Sequence, residues 1–447
     1  MVKSSLKKVF IKNFKSLHDC EIDIGKMNVI VGANASGKSN LIEAFRLLKK
    51  IYVDKDSFPF LEWWGYNNVV WQRKEELPII IGLLFDIEGY DVYFETNFTG
   101  TGGNFRVLRE VLDIRGYLKF EKKGEWTSVK HDMKFIDAVI EKPQKYDVSS
   151  EGKLIINKHK DNLIKEVKIS WGELPNLLGL IQDFKDSNKY NNIKKNNAAK
   201  ISYEEIDDWK IFAPVIVSYR YKEKEYYENI YAISSKRILF TLEKLSVLYP
   251  LNIRSMKNPQ PLRREETPKE DGTNIASVFH TIYLKEGKIP EEIYNPLSIV
   301  FPKIDVRPHI TDDGRVMIKF FEEGFELLPP NTSDGIYKIL TLLMAIYLKP
   351  PLLIIDEIEN SLHPSTLELI LDTIGISDTQ AIITTHSPVV VDMTELNNII
   401  LVEKEQGESK FKRIKDPEKI REFLIEKGIT FSEGWIYGDL LKTEKQA

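Results

Sequence analysis

Gly32-Ala33-Asn34-Ala35-Ser36-Gly37-Lys38-Ser39 constrains this chain more than any other stretch, because it dictates a strand before it and a helix after it. The run fits G-x-x-x-x-G-K-[ST]. Before it, Met27-Asn28-Val29-Ile30-Val31 reads as a short buried strand. After it, Leu41, Ile42, Phe45, Leu47 and Leu48 recur at helical spacing between Lys38 and Ile51. In that context the glycines let successive backbone N–H groups converge on phosphate oxygens, and the helix N-terminus adds its positive end. Lys38 is then the residue expected to neutralise the β- and γ-phosphates, with the Ser39 hydroxyl as a Mg²⁺ ligand.

Two further strands point to the same sheet edge. Leu352-Leu353-Ile354-Ile355 is an apolar run that ends in Asp356-Glu357. In phosphate-loop ATPases the aspartate at this strand end holds Mg²⁺, so Asp356 is a metal candidate and Glu357 a candidate base for the attacking water. Ala381-Ile382-Ile383-Thr384-Thr385 delivers His386 at its carboxyl end, the edge outside which open α/β sheets bind ligands. His386 is therefore a candidate partner of the γ-phosphate or of the water. Ser333-Asp334-Gly335 opens a helix running to Leu348, with Ser as N-cap and Asp complementing the dipole. It reads as a second helix N-terminus suited to an anion.

Elsewhere the chain reads in blocks. Residues 6–24 alternate as two strands, and from Pro78 to about Glu121 turn glycines punctuate an antiparallel meander. Trp171 to Phe184 and Tyr231 to Leu248 read as helices. Lys185 to Lys200, rich in Asn, Lys and Ser, reads as a solvated loop, with a phosphate-backbone contact as the alternative. Arg315 to Phe320 and Gly324 to Leu328 read as a hairpin.

Composition narrows the function classes. A net charge of −4 gives no support to a generally basic nucleic-acid binder. Cys20 is the sole cysteine, which leaves neither a disulfide framework nor a thiolate zinc site. No apolar run reaches the roughly 18–20 residues of a membrane span, and the first residues lack a signal-peptide core. A soluble cytoplasmic protein without a membrane partner is the expectation.

These pieces, in this order, resemble an ABC-type ATPase head of the structural-maintenance-of-chromosomes and RecF kind. Within that group they are most similar to bacterial AAA-type ATPases related to the overcoming-lysogenization-defect (OLD) proteins. The resemblance rests on Phe10 to Leu17, Gly32 to Asn40, Ser333-Asp334-Gly335, Asp356 to Pro364 and Thr384 to Pro388, and on Asp271 to Ala276 ahead of the second lobe. It implies an α/β fold: a P-loop NTPase head with an antiparallel β lobe and an inserted, mostly helical domain. The corresponding division is 1–125 for lobe one, 126–299 for the insertion and 300–447 for lobe two. It also implies ATP and Mg²⁺ as cofactors, with Asn40 among the nucleotide-binding residues. A head-to-tail homodimer would set Ser333, Asp334 and Gly335 of one subunit against the γ-phosphate held by Lys38 of the other. Ser361-Leu362-His363 would then cross the interface.

Two departures stand out. The signature is Ser-Asp-Gly, which argues against a transporter subunit, and the glutamine that links the lobes is left open among Gln72, Gln144 and Gln182. Leu401-Val402-Glu403 is faintly like the start of a Toprim nuclease but reads better as a strand of lobe two, so no nuclease domain is expected. The resemblance implies an ATPase that senses or scaffolds in bacterial anti-phage defence beside a separate effector protein. The alternative is a DNA-repair or chromosome-associated ATPase that grips DNA.

Overall fold

A computed structural model describes residues 4–115, 118–123, 126–131, 166–170, 200–201, 216–221, 224–414 and 416–436. The chain divides into two compact units, residues 1–23 with 44–243 and residues 24–43 with 244–447.

The first unit is built on a sheet of β1 (Ser4–Phe14) and β2 (Leu17–Asp23), then, past β3 (Met27–Val31) of the other unit, β4 (Ile79–Ile87), β5 (Tyr90–Thr99), β6 (Arg106–Ile114), β7 (Leu118–Lys123), β8 (Trp126–His131), β9 (Glu166–Ser170) and β10 (Lys200–Ile201). Its nine strands run in the order β10-β9-β8-β7-β6-β5-β4-β1-β2 with every neighbour antiparallel. Leu6 and Val9 are both buried although an odd spacing separates them. A register shift between Leu6 and Lys8 supplies the extra residue, so that both apolar side chains still reach the core face. Phe60 meets Tyr66 and Phe105 edge to face, Phe98 lies tilted against Phe60 and Phe105, and a side chain at Gly100 would meet the Phe60 ring at 2.6 Å. The hairpin β11 (Ile216–Tyr221) and β12 (Lys224–Asn229) stands as a separate two-stranded sheet. The span read as the helical insertion thus shows strands among its described residues before Ile230. The expected helix over Trp171 to Phe184 and the expected loop before Lys200 lie outside the described residues.

In the second unit follow β13 (Ser246–Leu248), β14 (Gln260–Pro261), β15 (Ile304–Ile310), β16 (Arg315–Glu322), β17 (Phe325–Leu327), β18 (Leu352–Ile355), β19 (Gln380–Thr385), β20 (Ile399–Glu405) and β21 (Glu408–Arg413). The helices of the chain, in order, are α1 (Lys38–Tyr52), α2 (Ile230–Glu243), α3 (Ile253–Met256), α4 (Ile275–Glu286), α5 (Glu291–Val300), α6 (Asp334–Tyr347), α7 (Pro364–Ile376), α8 (Pro388–Met393), α9 (Pro417–Lys427) and α10 (Phe431–Ile436). A six-stranded sheet in the order β13-β18-β19-β3-β20-β21 is parallel except at β21. Every residue of β3, β18 and β19 is buried. That is why these strands read as unbroken apolar runs: helices cover both faces of a parallel sheet. A smaller antiparallel sheet, β14-β16-β15 with β17 on β16, carries the expected hairpin.

One expected helix is corrected. The run Tyr231 to Leu248 stays helical only to Glu243, and Ser246-Val247-Leu248 instead pairs in parallel with Leu353-Ile354-Ile355. Burial on both faces of the sheet outweighs the helical propensity of these few residues. The segment Asp271-Gly272-Thr273-Asn274 forms the turn that starts α4. The Asp271 carboxylate accepts from the Thr273 N–H at 3.1 Å, and Gly272 takes φ +72°.

Candidate functional site

The phosphate loop, Ser333–Gly335, Asp356, Glu357 and His386 all lie in the second unit. β3 sits between β19 and β20 near the centre of the six-stranded sheet and opens directly into the Gly32–Gly37 loop. Gly32 is required by close approach: a Cβ there would stand 2.5 Å from the Val402 carbonyl oxygen and 2.7 Å from Ser36 Oγ. Gly37 takes φ +106°, and Ala35 accepts φ +61° in spite of its Cβ. Ala33, Asn34 and Ala35 form the exposed crown of the loop, whereas Ser36 and Lys38 are buried. The Ser36 N–H donates to the Ala33 carbonyl at 3.2 Å and the Asn40 N–H to the Gly37 carbonyl at 3.1 Å. The Lys38 ammonium folds over the loop, donating to the carbonyls of Gly32 at 2.7 Å and Ala33 at 3.0 Å. Burial pushes its pKa down, opposed by the charges of Asp356, Glu357 and Glu359.

Asp356 and Glu357 leave the end of β18. The Asp356 carboxylate accepts hydrogen bonds from the Thr384 hydroxyl and from Ser39 Oγ, the latter at 3.3 and 3.5 Å to its two oxygens. Burial raises its pKa, Glu357 adds to the rise, and the Thr384 and Ser39 hydroxyls and Lys38 act against it. Thr384 also accepts from the Glu357 N–H at 3.0 Å, so one hydroxyl fixes both acidic residues. Glu357 sits at φ +48°, and its Oε2 accepts from Asn360 Nδ2 at 2.7 Å.

A side chain given no role by the sequence holds the histidine loop. Glu359 accepts from the His386 N–H at 2.9 Å and from the Thr385 hydroxyl at 2.9 Å, and its Oε1 lies 3.0 Å from His386 Nδ1. A carboxylate at Nδ1 favours the tautomer with its proton on that nitrogen, which turns Nε2 outward from Glu359 as the acceptor.

Ser333 caps α6, accepting from the Ile336 N–H at 3.3 Å, and Asp334 pairs with Lys257 at 2.8 Å. Gly335 packs against the loop after Glu357: a Cβ there would meet the Ser361 carbonyl oxygen at 3.0 Å. Lys338, one turn further on, was missed by the sequence reading. It is 7 % exposed and donates to the carbonyls of Glu357 at 3.2 Å and Asn360 at 2.7 Å. Burial brings its pKa down to about 8, against the pull of Glu359, Glu357 and Asp356. His363 caps α7, its Nδ1 accepting from the Ser365 N–H at 3.4 Å.

Of the glutamines considered, Gln72 belongs to the first unit and is exposed, while Gln144 and Gln182 lie outside the described residues. On the side of β18 away from β19 lies β13, which delivers Tyr249-Pro250-Leu251 to the edge where Asp356 emerges; the Asp356 N–H donates to the Leu248 carbonyl at 2.9 Å. Leu401-Val402-Glu403 forms part of β20 beside β3, within the six-stranded sheet.

The donor set fits a magnesium nucleotide. Ser39 Oγ, in the first turn of α1, and the Asp356 oxygens, just past the end of β18, are hard oxygen donors brought together. Mg²⁺ is usually held by one or two carboxylates plus phosphate oxygens. Among the described residues no cluster of three His, Cys, Asp or Glu offers a rival metal site. Nor is any described helix long and apolar enough to cross a membrane.

Residues 231–392 match the family described as "AAA domain, putative AbiEii toxin, Type IV TA system". No curated protein matches the chain. Among solved structures, the chain is similar to a Pyrococcus furiosus Smc head domain with an extended coiled coil bound to the C-terminal domain of ScpA. That match has 14 % identity and a TM-score of 0.47, covering 95 % of this chain and 99 % of that one. The SMC head domain from Thermotoga maritima matches at 14 % identity and a TM-score of 0.40, covering 92 % and 100 %. Both scores are below 0.5. The family described as "AAA ATPase domain" matches residues 5–284, more than half of the sequence, and the chain belongs to that family.

Proposed function

We propose that this chain hydrolyses ATP and that two copies close head to tail around the nucleotide. The observation that carries the reading is the convergence of Lys38, Ser39, Asp356 and Glu357, the last two fixed by the single hydroxyl of Thr384. Lys38 would exchange its two loop carbonyls for the β- and γ-phosphates. Ser39 and Asp356 would hold Mg²⁺, which supplies charge neutralisation to the phosphate oxygens. Glu357 would orient the attacking water and accept its proton, with His386 Nε2 as a second acceptor nearby in the fold. Ser333, Asp334 and Gly335 would meet the γ-phosphate from the opposite subunit, so that its loss on hydrolysis releases the dimer.

The broader role we propose is that of an OLD-like sensor or scaffold ATPase in bacterial anti-phage defence, acting through a separate effector protein. The match of residues 231–392 to a family described by a toxin of a toxin–antitoxin system supports it.

Glu357→Gln tests the chemistry. The change is nearly isosteric and leaves Lys38, Ser39 and Asp356 in place, so ATP binding persists while hydrolysis falls by about 10²–10⁴-fold. The ATP-bound dimer then accumulates and is visible by light scattering, whereas Ser333→Arg remains monomeric with ATP bound. Hydrolysis at the wild-type rate in Glu357→Gln would place the base elsewhere and remove the reading.

A further inference from the structure

Lys338 is the one charged residue in the buried stretch Ile336–Ile346 of α6. A lysine is rarely buried unless an acid pairs with it. Here, among the described residues, its ammonium makes no ion pair within 4.0 Å and is spent on two backbone carbonyls, those of Glu357 and Asn360. Those carbonyls belong to a turn with two non-glycine residues in the left-handed region, Glu357 at φ +48° and Ser361 at φ +61°. Such conformations persist only where surrounding contacts impose them. Within the turn the Asn360 N–H donates to the Glu357 carbonyl at 3.1 Å, the Leu362 N–H to the Glu359 carbonyl at 3.1 Å and Asn360 Nδ2 to Glu357 Oε2 at 2.7 Å. On the β19 side Thr384 takes the N–H groups of Glu357 at 3.0 Å and Ile358 at 3.3 Å; on the α6 side the ammonium of Lys338 holds the two carbonyls. A cavity of about 300 Å³ lies against the turn, lined by Lys338, Asp356, Asn360, Ser361 and Tyr249 among others.

We propose that Lys338 is a positioning residue for hydrolysis: by tying the Glu357 and Asn360 carbonyls to α6, it holds the Glu357 carboxylate where it can act on water. The tether also links Glu357 to the helix that starts at Ser333–Gly335, so any displacement of that helix N-terminus is felt at Glu357. The inference rests on the reading of Glu357 as the base. Lys338 touches neither nucleotide nor water in this scheme, and its effect passes through Glu357 alone.

A double-mutant cycle on the full chain separates the possibilities. Lys338→Met keeps the length and apolar stem but removes the donor. It should lower kcat by about 10²-fold, the usual cost of misplacing a catalytic group by about 1 Å. KM and nucleotide affinity should stay within about threefold, since Lys38 and the loop are untouched; that bound is an order-of-magnitude allowance for contacts outside the changed site. Lys338→Arg, which can still donate to both carbonyls, should recover most of the rate. In a Glu357→Gln background, Lys338→Met should cost nothing further, because the group it positions is gone. Should Lys338→Met melt too low to assay, Lys338→Gln retains one donor and is read in the same cycle. A wild-type kcat in the lysine variant, or an undiminished loss in the Glu357→Gln background, overturns the proposal. If Glu357→Gln alone leaves turnover intact, it is the ATPase reading of Glu357 that fails.

Discussion

Glu110 and Asp356 are both inward-facing carboxylates that accept a hydroxyl hydrogen, one in each compact unit, yet they do different work. Glu110 lies within β6, is 1 % exposed and accepts from the Tyr52 hydroxyl at 2.5 Å. Its surroundings are a strand interior and the Tyr52 ring, which stands edge-on to Phe94 at 5.4 Å. Burial, with Glu110 beside it, pushes the Tyr52 pKa well up, so the phenol stays a donor over the whole working range. Asp356 lies one residue past the end of β18, where the sheet gives way to loops, and its hydroxyl partners Ser39 and Thr384 come from the first turn of α1 and the end of β19. A carboxylate sealed inside a strand can only hold its neighbours together. One at the carboxyl edge of a parallel sheet keeps coordination capacity for something that arrives.

The largest expected effect lies at that edge. Lys38→Ala removes the one ammonium folded on the phosphate loop and should weaken ATP binding by about 2–5 kcal/mol, abolishing turnover with it. The melting of the nine-stranded sheet should be unchanged. Nucleotide titration decides the matter, and an unaltered affinity would dissolve the contrast between the two carboxylates, since Asp356 would then be structural as well.

The parts of the site that were legible from sequence are those written in consecutive residues. Gly32–Ser39 and Asp356-Glu357 each combine a buried strand with the polar residues that follow it, and strand and loop are neighbours in the chain. What stayed hidden depends on register. Ile355 pairs with Ile383, which carries Asp356 alongside Thr384; nothing local to Thr384 announces that its hydroxyl will serve two acids. Glu359 and His386 meet by the same route. Lys338 was hidden for a different reason: a lysine in an apolar helix is ordinarily read as its solvent face, and only packing shows that this one points at carbonyls. β13 was lost inside a helical pattern because three residues are too few to show a period of two.

A middle-sized effect tests the structural half of the comparison. Glu110→Ala leaves the fully buried Tyr52 hydroxyl without its acceptor, which costs about 1–3 kcal/mol. The melting transition of the first unit should fall accordingly, while nucleotide affinity holds. Adding Tyr52→Phe to Glu110→Ala should restore part of the loss, because the orphaned hydroxyl is then gone. A fall in ATP binding without a fall in stability would show that Glu110 does more than hold Tyr52.

The smallest effect belongs to the outer face of that same sheet, where carboxylates are paired with cations across strands. Arg109 Nε donates to Glu121 at 2.8 Å, Lys123 approaches the same oxygen at 3.1 Å, and Arg109 also reaches Glu95. The hydrogen bond from Arg109 leads in holding the Glu121 pKa down at about 2, with Lys123 adding to it and burial opposing. The folded state therefore binds its proton at lower pH than the unfolded chain, whose carboxyl titrates near 4.5. The stabilisation is complete above that value and is lost as the pH falls from about 4.5 towards about 2. Because the pair is partly solvated, its contribution is about 1 kcal/mol. Glu121→Gln should remove that increment near neutrality and only a small part of it at pH 2, flattening the acid limb of the first unit's stability curve. Glu110→Ala, by contrast, removes the acceptor of a buried phenol that stays a donor through this acid range, so its loss of stability should not follow the Glu121 limb. An acid limb as steep in Glu121→Gln as in the parent would mean that the cross-strand ladder orders the surface without stabilising it.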